Sequence, residues 1–379
     1  MAATDSYAGG DGRLSPLSTP SATRAVLTAH GIGTKYTLGQ NFLVNDDVLK
    51  KIVALAEVGE NDRVLEVGPG IGTLTIALLK HVASVVAIER DPDLPAVLAD
   101  TLHPWREKFA LIEKDALDVT RDDIVAAMVE IGGDTGYPDR ASSAANETAQ
   151  WAVSQSEDCL SESGHPASPP QEDLQLSLPS KLVANLPYAV AATVVLDYFE
   201  NFPFLDSATI MVQKEVADRM AAAVGTKNYG AYTVKLGLYA EPVGRFAVGP
   251  GNFFPPPRVD SAVIRLNRRV PLMADGAPAS PEVIAAAALM ADAAFANRRK
   301  TIANSCKTYF SGRGPISLGA GPSAQEGAPG IVLPDGAAIA EHLPAIFDAA
   351  AIDPRRRGET LTQQEFLALG AALLKVTAA

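Results

Sequence analysis

Asn185-Leu186-Pro187-Tyr188 is the stretch whose residue types and order suggest chemistry. The Asn185 side-chain oxygen and the Leu186 carbonyl are two neighbouring acceptors, Pro187 stiffens the turn that carries them, and Tyr188 adds a flat ring. This set suits an exocyclic amino group on an aromatic base. Acceptors engage its two N–H bonds while the base lies against the ring. The lone pair of such a nitrogen is otherwise delocalised. Holding the nitrogen pyramidal and aligned makes it a nucleophile for in-line displacement at a sulfonium methyl, with no metal and no strong base required. As a bare tetrapeptide, however, the same residues read as a strand-ending Asn-x-Pro turn with a half-buried tyrosine. Context decides between the two.

That context begins at Gly68-Pro69-Gly70-Ile71-Gly72, a turn between a short apolar strand and a helix. Glycine lets backbone approach a ligand closely because it has no Cβ. Glu89, about 20 residues on at the end of the next strand, is placed to accept from ribose hydroxyls. A dinucleotide and S-adenosylmethionine both fit this much. Pro69 in the turn, and Thr73 where the GxGxxG fingerprint has its last glycine, favour the methyl donor. Asp115, at a third strand end, is placed either to accept from an adenine amino group or to cap the helix that starts at Ala116.

The elements that position these residues alternate. Strands are predicted at Arg63–Val67, Ser84–Ile88, Phe109–Ile112, 181–184, 207–212 and 261–266, with helices at 73–80, 94–102, 191–199 and 214–224. This pattern predicts an α/β fold: a doubly wound, mostly parallel Rossmann-like sheet with helices on both faces. Ligands of such sheets lie beyond the C-terminal strand ends, where each candidate residue falls. Past Pro255-Pro256-Pro257 the chain changes character. Residues 281–310 and 337–376 read as helices separated by a Gly/Pro/Ser-rich loop at about 312–335. We therefore expect a flexible tail at 1–30, a methyl-donor domain at 31–270, and a small helical domain at 271–379.

Composition narrows the class. A chain of 379 residues with 47% hydrophobic and 20% charged residues is globular, not fibrous or disordered. Neither a membrane-spanning run nor a secretory leader is evident, so a cytoplasmic protein is expected. Cys159 and Cys306 give neither a disulfide framework nor metal-ligand spacing. The net charge of −12 seems to oppose a nucleic-acid partner. Yet residues 121–180 hold eleven acids against two arginines, so most of the excess sits in one Ala-, Ser- and Pro-rich stretch. An acidic, disordered insertion at about 125–178 is expected, pointing away from the site.

Further motifs stand in order around these: Lys35-Tyr36-Thr37-Leu38-Gly39-Gln40-Asn41-Phe42-Leu43, Ile88-Glu89-Arg90-Asp91, Gln213-Lys214-Glu215-Val216-Ala217, Phe254-Pro255-Pro256-Pro257-Arg258-Val259-Asp260-Ser261, Phe295-Ala296-Asn297-Arg298-Arg299-Lys300-Thr301 and Arg357-Gly358-Glu359-Thr360-Leu361. With the turn and the Asn185 tetrapeptide, the chain resembles the small-subunit ribosomal RNA adenine N6-dimethyltransferase family, the kasugamycin-sensitivity methyltransferases. The resemblance spans Lys35 to Gly370 apart from two insertions. It implies S-adenosylmethionine as cofactor, held by Asn41, Leu43, Gly68, Gly70, Glu89, Asp115, Ala116 and Asn185. It also implies that Asn185 to Tyr188 handle the base, with Phe253 or Phe254 on its other face and Arg298, Arg299 and Lys300 toward RNA. The implied substrate is a pair of adjacent adenosines in the 3′-terminal hairpin loop of 16S rRNA, in an immature small subunit, methylated by a monomer without metal. Three other readings share features: a 23S rRNA adenine methyltransferase of the macrolide-resistance type, a non-catalytic ribosome-assembly factor, and a nicotinamide-dependent dehydrogenase. The proline run and the C-terminal motifs favour the small-subunit enzyme over the first.

Overall fold

The computed structural model describes residues 12–33, 40–131, 178–318 and 331–378. The chain enters through α1 (Pro20–Ala29), β1 (Phe42–Leu43) and α2 (Asp46–Ala56). Strands and helices then alternate: β2 (Arg63–Val67), α3 (Thr73–Leu79), β3 (Ser84–Ile88), α4 (Pro95–Thr101), β4 (Phe109–Ile112), α5 (Arg121–Ile131), β5 (Lys181–Asn185), α6 (Ala191–Asn201), β6 (Ser207–Gln213) and α7 (Lys214–Met220). After α8 (Ala231–Gly237), strands β7 (Ala240–Val248), β8 (Phe253–Phe254) and β9 (Ser261–Arg268) complete the first part. The second holds α9 (Pro281–Phe295), α10 (Ile302–Phe310), β10 (Ile316–Leu318), β11 (Ile331–Leu333), α11 (Gly336–Ala349) and α12 (Gln363–Thr377).

Seven strands form one sheet in the order β4-β3-β2-β5-β6-β9-β7. The five from β4 to β6 are parallel, and β9 runs antiparallel to both β6 and β7. Central strands such as β3 are buried along their whole length, as expected where helices cover both faces. Alternate residues feed two cores. Leu65, Val67, Leu182 and Ala184 pack with Val194, Tyr198 and Phe199 of α6. Val64, Val85 and Val183 pack on the opposite side with residues of α2, α3 and α4. A third core joins the C-terminal helices. There α12 meets α9 at Gly370, where a Cβ would lie 2.6 Å from the Ala287 nitrogen and the Val283 carbonyl oxygen.

Several expectations require correction. Residues 12–30 are no tail. Thr19 caps α1, the Asp46 carboxylate accepts from the Leu14 and Ser15 amides, and Leu17, Val26 and Leu27 are buried. Residues 1–11 lie outside the described residues. The acidic insertion cannot begin at 125, because α5 runs to Ile131 and buries Ala127 and Met128 in the first core. Its stretch 132–177 also lies outside the described residues. Of the loop at 312–335, the flanks Ile316–Leu318 and Ile331–Leu333 pair as an antiparallel ladder. The helical reading of 281–310 breaks between Phe295 and Ile302, that of 337–376 breaks between Ala349 and Gln363, and that of 214–224 ends at Met220.

Arg268 shows how the last strand secures the sheet's flank. Its Nε donates to the Leu205 carbonyl, and its terminal nitrogens donate to the carbonyls of Phe199 and Phe202, each at 2.8 Å. The Phe199 carbonyl lies in the last turn of α6, where intrahelical donors run out, and the Phe202 carbonyl just past it also accepts from the Leu205 amide at 3.1 Å. Arg268→Ala is expected to lower the unfolding free energy by about 3 kcal/mol, since buried acceptors would lose a charged, forked donor. Urea denaturation checks this, and a loss well below 1 kcal/mol would show that water replaces the side chain.

Candidate functional site

Chain direction across the sheet reverses between β2 and β5, and their C-terminal ends open a crevice. The register pairing Leu65 with Leu182, continued along the strands, brings Asn185 level with Gly68. Gly68, Gly70 and Gly72 have φ of 71°, 61° and 87°, a conformation in which a Cβ costs about 1–2 kcal/mol. Space is short as well. A Cβ on Gly70 would stand 3.2 Å from the Phe42 ring, and one on Gly68 3.4 Å from Pro187 Cδ. The turn is therefore bare backbone packed between β1 and the Asn185 loop.

A cavity of about 490 Å³ fills this crevice. Asn41, Leu43, Gly68, Gly70, Glu89, Asp115, Ala116 and all four residues from Asn185 to Tyr188 line it. Eleven candidates from separate parts of the chain thus meet in one place. The Asn185 Nδ2 donates to the Asn41 carbonyl at 3.2 Å, which orients the amide and leaves Oδ1 without a donor among the described residues. The Leu186 amide is spent on the Met211 carbonyl at 3.1 Å. The Tyr188 hydroxyl and the Ser261 hydroxyl lie 2.5 Å apart, fixing the ring, and burial keeps the phenol protonated above its ordinary range despite that contact. Ser261 begins β9, so the proline-rich loop after β8 ends on the residue that holds Tyr188.

On the other side, Glu89 accepts from the amides of Arg90 and Asp91 at 3.0 and 2.9 Å. Burial outweighs these bonds and raises its carboxyl above the usual range. Asp115 does cap the turn at Ala116, accepting from the Leu117 amide at 3.1 Å. Its other oxygen meets Arg90 at 2.8 Å, and that guanidinium is the main reason the carboxyl titrates below its ordinary value. The Tyr198 hydroxyl donates to the Ala116 carbonyl at 3.0 Å, anchoring that wall from the core. Among the described residues no cluster of three or more His, Cys, Asp or Glu is placed to hold a metal, and no helix is long and apolar enough to cross a membrane.

The remaining candidates lie elsewhere. Phe253 is 3% exposed and belongs to the second core, whereas Phe254 is half-buried; neither lines the cavity itself. Arg298, Arg299 and Lys300 occupy the break between α9 and α10. Arg298 is tied to Glu359 at 2.9 Å, and Arg299 and Lys300 are exposed. Thr362 and Glu365 form the capping box that starts α12, and Arg356 pairs with the Glu365 carboxylate.

Glu66 lines the cavity without having been singled out by the sequence, although an acid inside an apolar strand is a readable signal. It is 1% exposed and its Oε2 has no hydrogen-bond partner. Burial pushes this carboxyl up to about 8, against a weaker pull from Thr75 and with a further push from Glu89. It is therefore mostly a neutral acid at pH 7. A carboxyl whose folded pKa is raised contributes stability below its unfolded pKa, near 4.5, and loses it as pH rises through 8. Glu66→Gln is accordingly expected to gain melting temperature relative to wild type as pH goes from 6 to 9. A difference that stays flat across this range would refute the raised pKa.

The sheet order and the glycine-cradled cavity at its switch point define a Rossmann-like methyltransferase. The crystal structure of a dimethyladenosine transferase from Plasmodium falciparum shares the fold, with a TM-score of 0.55 at 19% identity over 88% of this chain and 98% of that one. The family model for ribosomal RNA adenine dimethylase matches residues 33–314. Ribosomal RNA small subunit methyltransferase A of Geobacillus sp. (strain WCH70) is 32% identical over 360 residues, 95% of this chain and 98% of the relative. Its namesake in Thermobifida fusca (strain YX) is 35% identical over 354 residues, covering 92% and 94%. This chain belongs to the ribosomal RNA adenine dimethylase family, and is a methyltransferase that uses an S-adenosylmethionine-type methyl donor.

Proposed function

We propose that the protein transfers methyl groups from S-adenosylmethionine to N6 of two adjacent adenosines in the 3′-terminal hairpin loop of 16S rRNA, giving N6,N6-dimethyladenosine during small-subunit assembly. The observation that carries this reading is the orientation of Asn185. With Nδ2 committed to the Asn41 carbonyl, Oδ1 is the atom available to an amino group. The Leu186 carbonyl is its neighbour on the same turn.

The residues present fit the methyl donor. The bare backbone of Gly68 and Gly70 and the Glu89 carboxylate line the same cavity, so a close backbone approach and an acceptor for a ribose diol stand together. When bound, the donor supplies an electrophilic methyl on sulfonium. Asn185 and Leu186 accept from the target N–H groups, align the nitrogen and withdraw its lone pair from the ring. Tyr188, pinned by Ser261, gives the base a flat surface; of the two β8 aromatics the half-buried Phe254, not the core residue Phe253, is the one left to close the other face. Bases of a single-stranded loop are open to such a sandwich, unlike bases stacked in a helix. The relatives named for the small subunit support the substrate choice.

Incubating the protein with labelled S-adenosylmethionine and immature small subunits, then mapping methylated adenosines, tests the proposal. Two dimethylated neighbours in the 3′-terminal hairpin are expected. Methylation confined to large-subunit RNA would overturn the substrate assignment.

A further inference from the structure

An acidic protein that acts on RNA needs cations that its own carboxylates have not neutralised. Around the cavity most are neutralised. Arg90 pairs with Asp115 at 2.8 Å and Lys114 with Asp123 at 2.6 Å. Lys214 and Arg245 share Asp218 at 2.6 and 3.0 Å, and Arg219 pairs with Glu215 at 2.9 Å.

Arg24 differs. It projects from the exposed side of α1, and its guanidinium lies 5.1 Å from the centroid of the Phe254 ring. It forms no ion pair or hydrogen bond with any described residue. A cation over a ring at an exposed site gains only about 0.5–1 kcal/mol, enough to orient the guanidinium without using any of its five N–H donors. Its position follows from the chain. Phe254 pairs across β8 and β1 with Phe42, a wall of the cavity. The loop that leaves Phe254 returns at Ser261, which holds Tyr188. Arg258, exposed within that loop, likewise has no carboxylate partner among the described residues. α1 precedes the stretch matched by the family model, which starts at residue 33.

We propose that Arg24 is a substrate-positioning residue that grips an RNA phosphate beside the target adenosine, with Arg258 as a second cation on the same rim. A guanidinium fork suits a phosphate, and its seat on Phe254 sets its direction before RNA arrives. The inference rests on the RNA-methylating reading above.

The test compares full-length wild type, R24Q, R24K and the R24Q/R258Q double variant on small-subunit substrate at several KCl concentrations. Affinity for S-adenosylhomocysteine and the melting temperature are measured alongside. R24Q is expected to raise KM roughly five- to tenfold near 0.1 M salt and to reduce the salt slope of log KM by about 0.7–0.9, with kcat nearly unchanged. S-adenosylhomocysteine affinity and Tm should stay at wild-type values. R24K should keep the salt slope, and the double variant should lose about twice as much slope. Unchanged KM and slope in R24Q, beside an active wild type, overturn this inference alone. A raised KM accompanied by lower Tm and weaker S-adenosylhomocysteine binding overturns it too, making Arg24 a packing residue. A wild type that leaves rRNA unmethylated overturns the functional reading and this inference together.

Discussion

Asn185→Ala is expected to cut kcat about 10²–10³-fold while the protein keeps its fold. The magnitude is that of removing one preorganised group aimed at a reacting atom in a water-poor site. The stability cost is small, because the residue is half-buried and contributes a single side-chain bond, to the Asn41 carbonyl at 3.2 Å. One such bond contributes about 0.5–1.5 kcal/mol. Methyl-donor affinity should change much less than kcat if, as proposed, the removed acceptor serves the target nitrogen. Single-turnover methylation and a melting curve on the same preparation decide the matter. Turnover within a few-fold of wild type would sink the amino-positioning role. Asn185→Asp adds a control: it keeps an acceptor but loses the donor to the Asn41 carbonyl, so it should also be slow.

The second large effect falls on binding. Glu89→Ala is expected to weaken the methyl donor about 10²-fold, the loss of charge-assisted bonds to a diol at about 1.5–3 kcal/mol each. The carboxyl is already oriented by the amides of Arg90 and Asp91, so little side-chain entropy is lost when a ligand arrives. Burial raises its pKa, and only the ionised form accepts fully from hydroxyls. Donor affinity should therefore fall as pH drops through the carboxyl's folded pKa, and Glu89→Gln should lose that dependence. Calorimetry with S-adenosylhomocysteine between pH 5 and 8 measures both. An alanine variant that binds as wild type would remove Glu89 from the pocket.

Much of this is legible in the sequence. β2, β3 and β5 are apolar runs whose interiors are buried, so each carries its own signal, and their C-terminal ends lead to Gly68, Glu89 and Asn185. β7 escaped because it is an edge strand interrupted by Pro242 and Gly244 with a register shift between them, and its burial pattern is mostly exposed, so little in its own residues marks it. α1 escaped for a similar reason. Its surroundings read as Gly, Ser, Thr and Ala, and its order comes from burying Leu17, Val26 and Leu27 and from the Asp46 carboxylate.

The Asn185–Tyr188 tetrapeptide marks the division. Residue types alone determined that two acceptors and a ring stand together at a strand end, because acceptor chemistry and turn geometry are local. Tertiary structure decided which amide atom is available, by placing the Asn41 carbonyl against Nδ2, and what holds Tyr188, by bringing Ser261 from 73 residues away. It also sorted the cations, leaving Arg24 without an acidic partner among the described residues while Arg298 was claimed by Glu359. Charge pairing depends on through-space distance, and a linear sequence carries no measure of that.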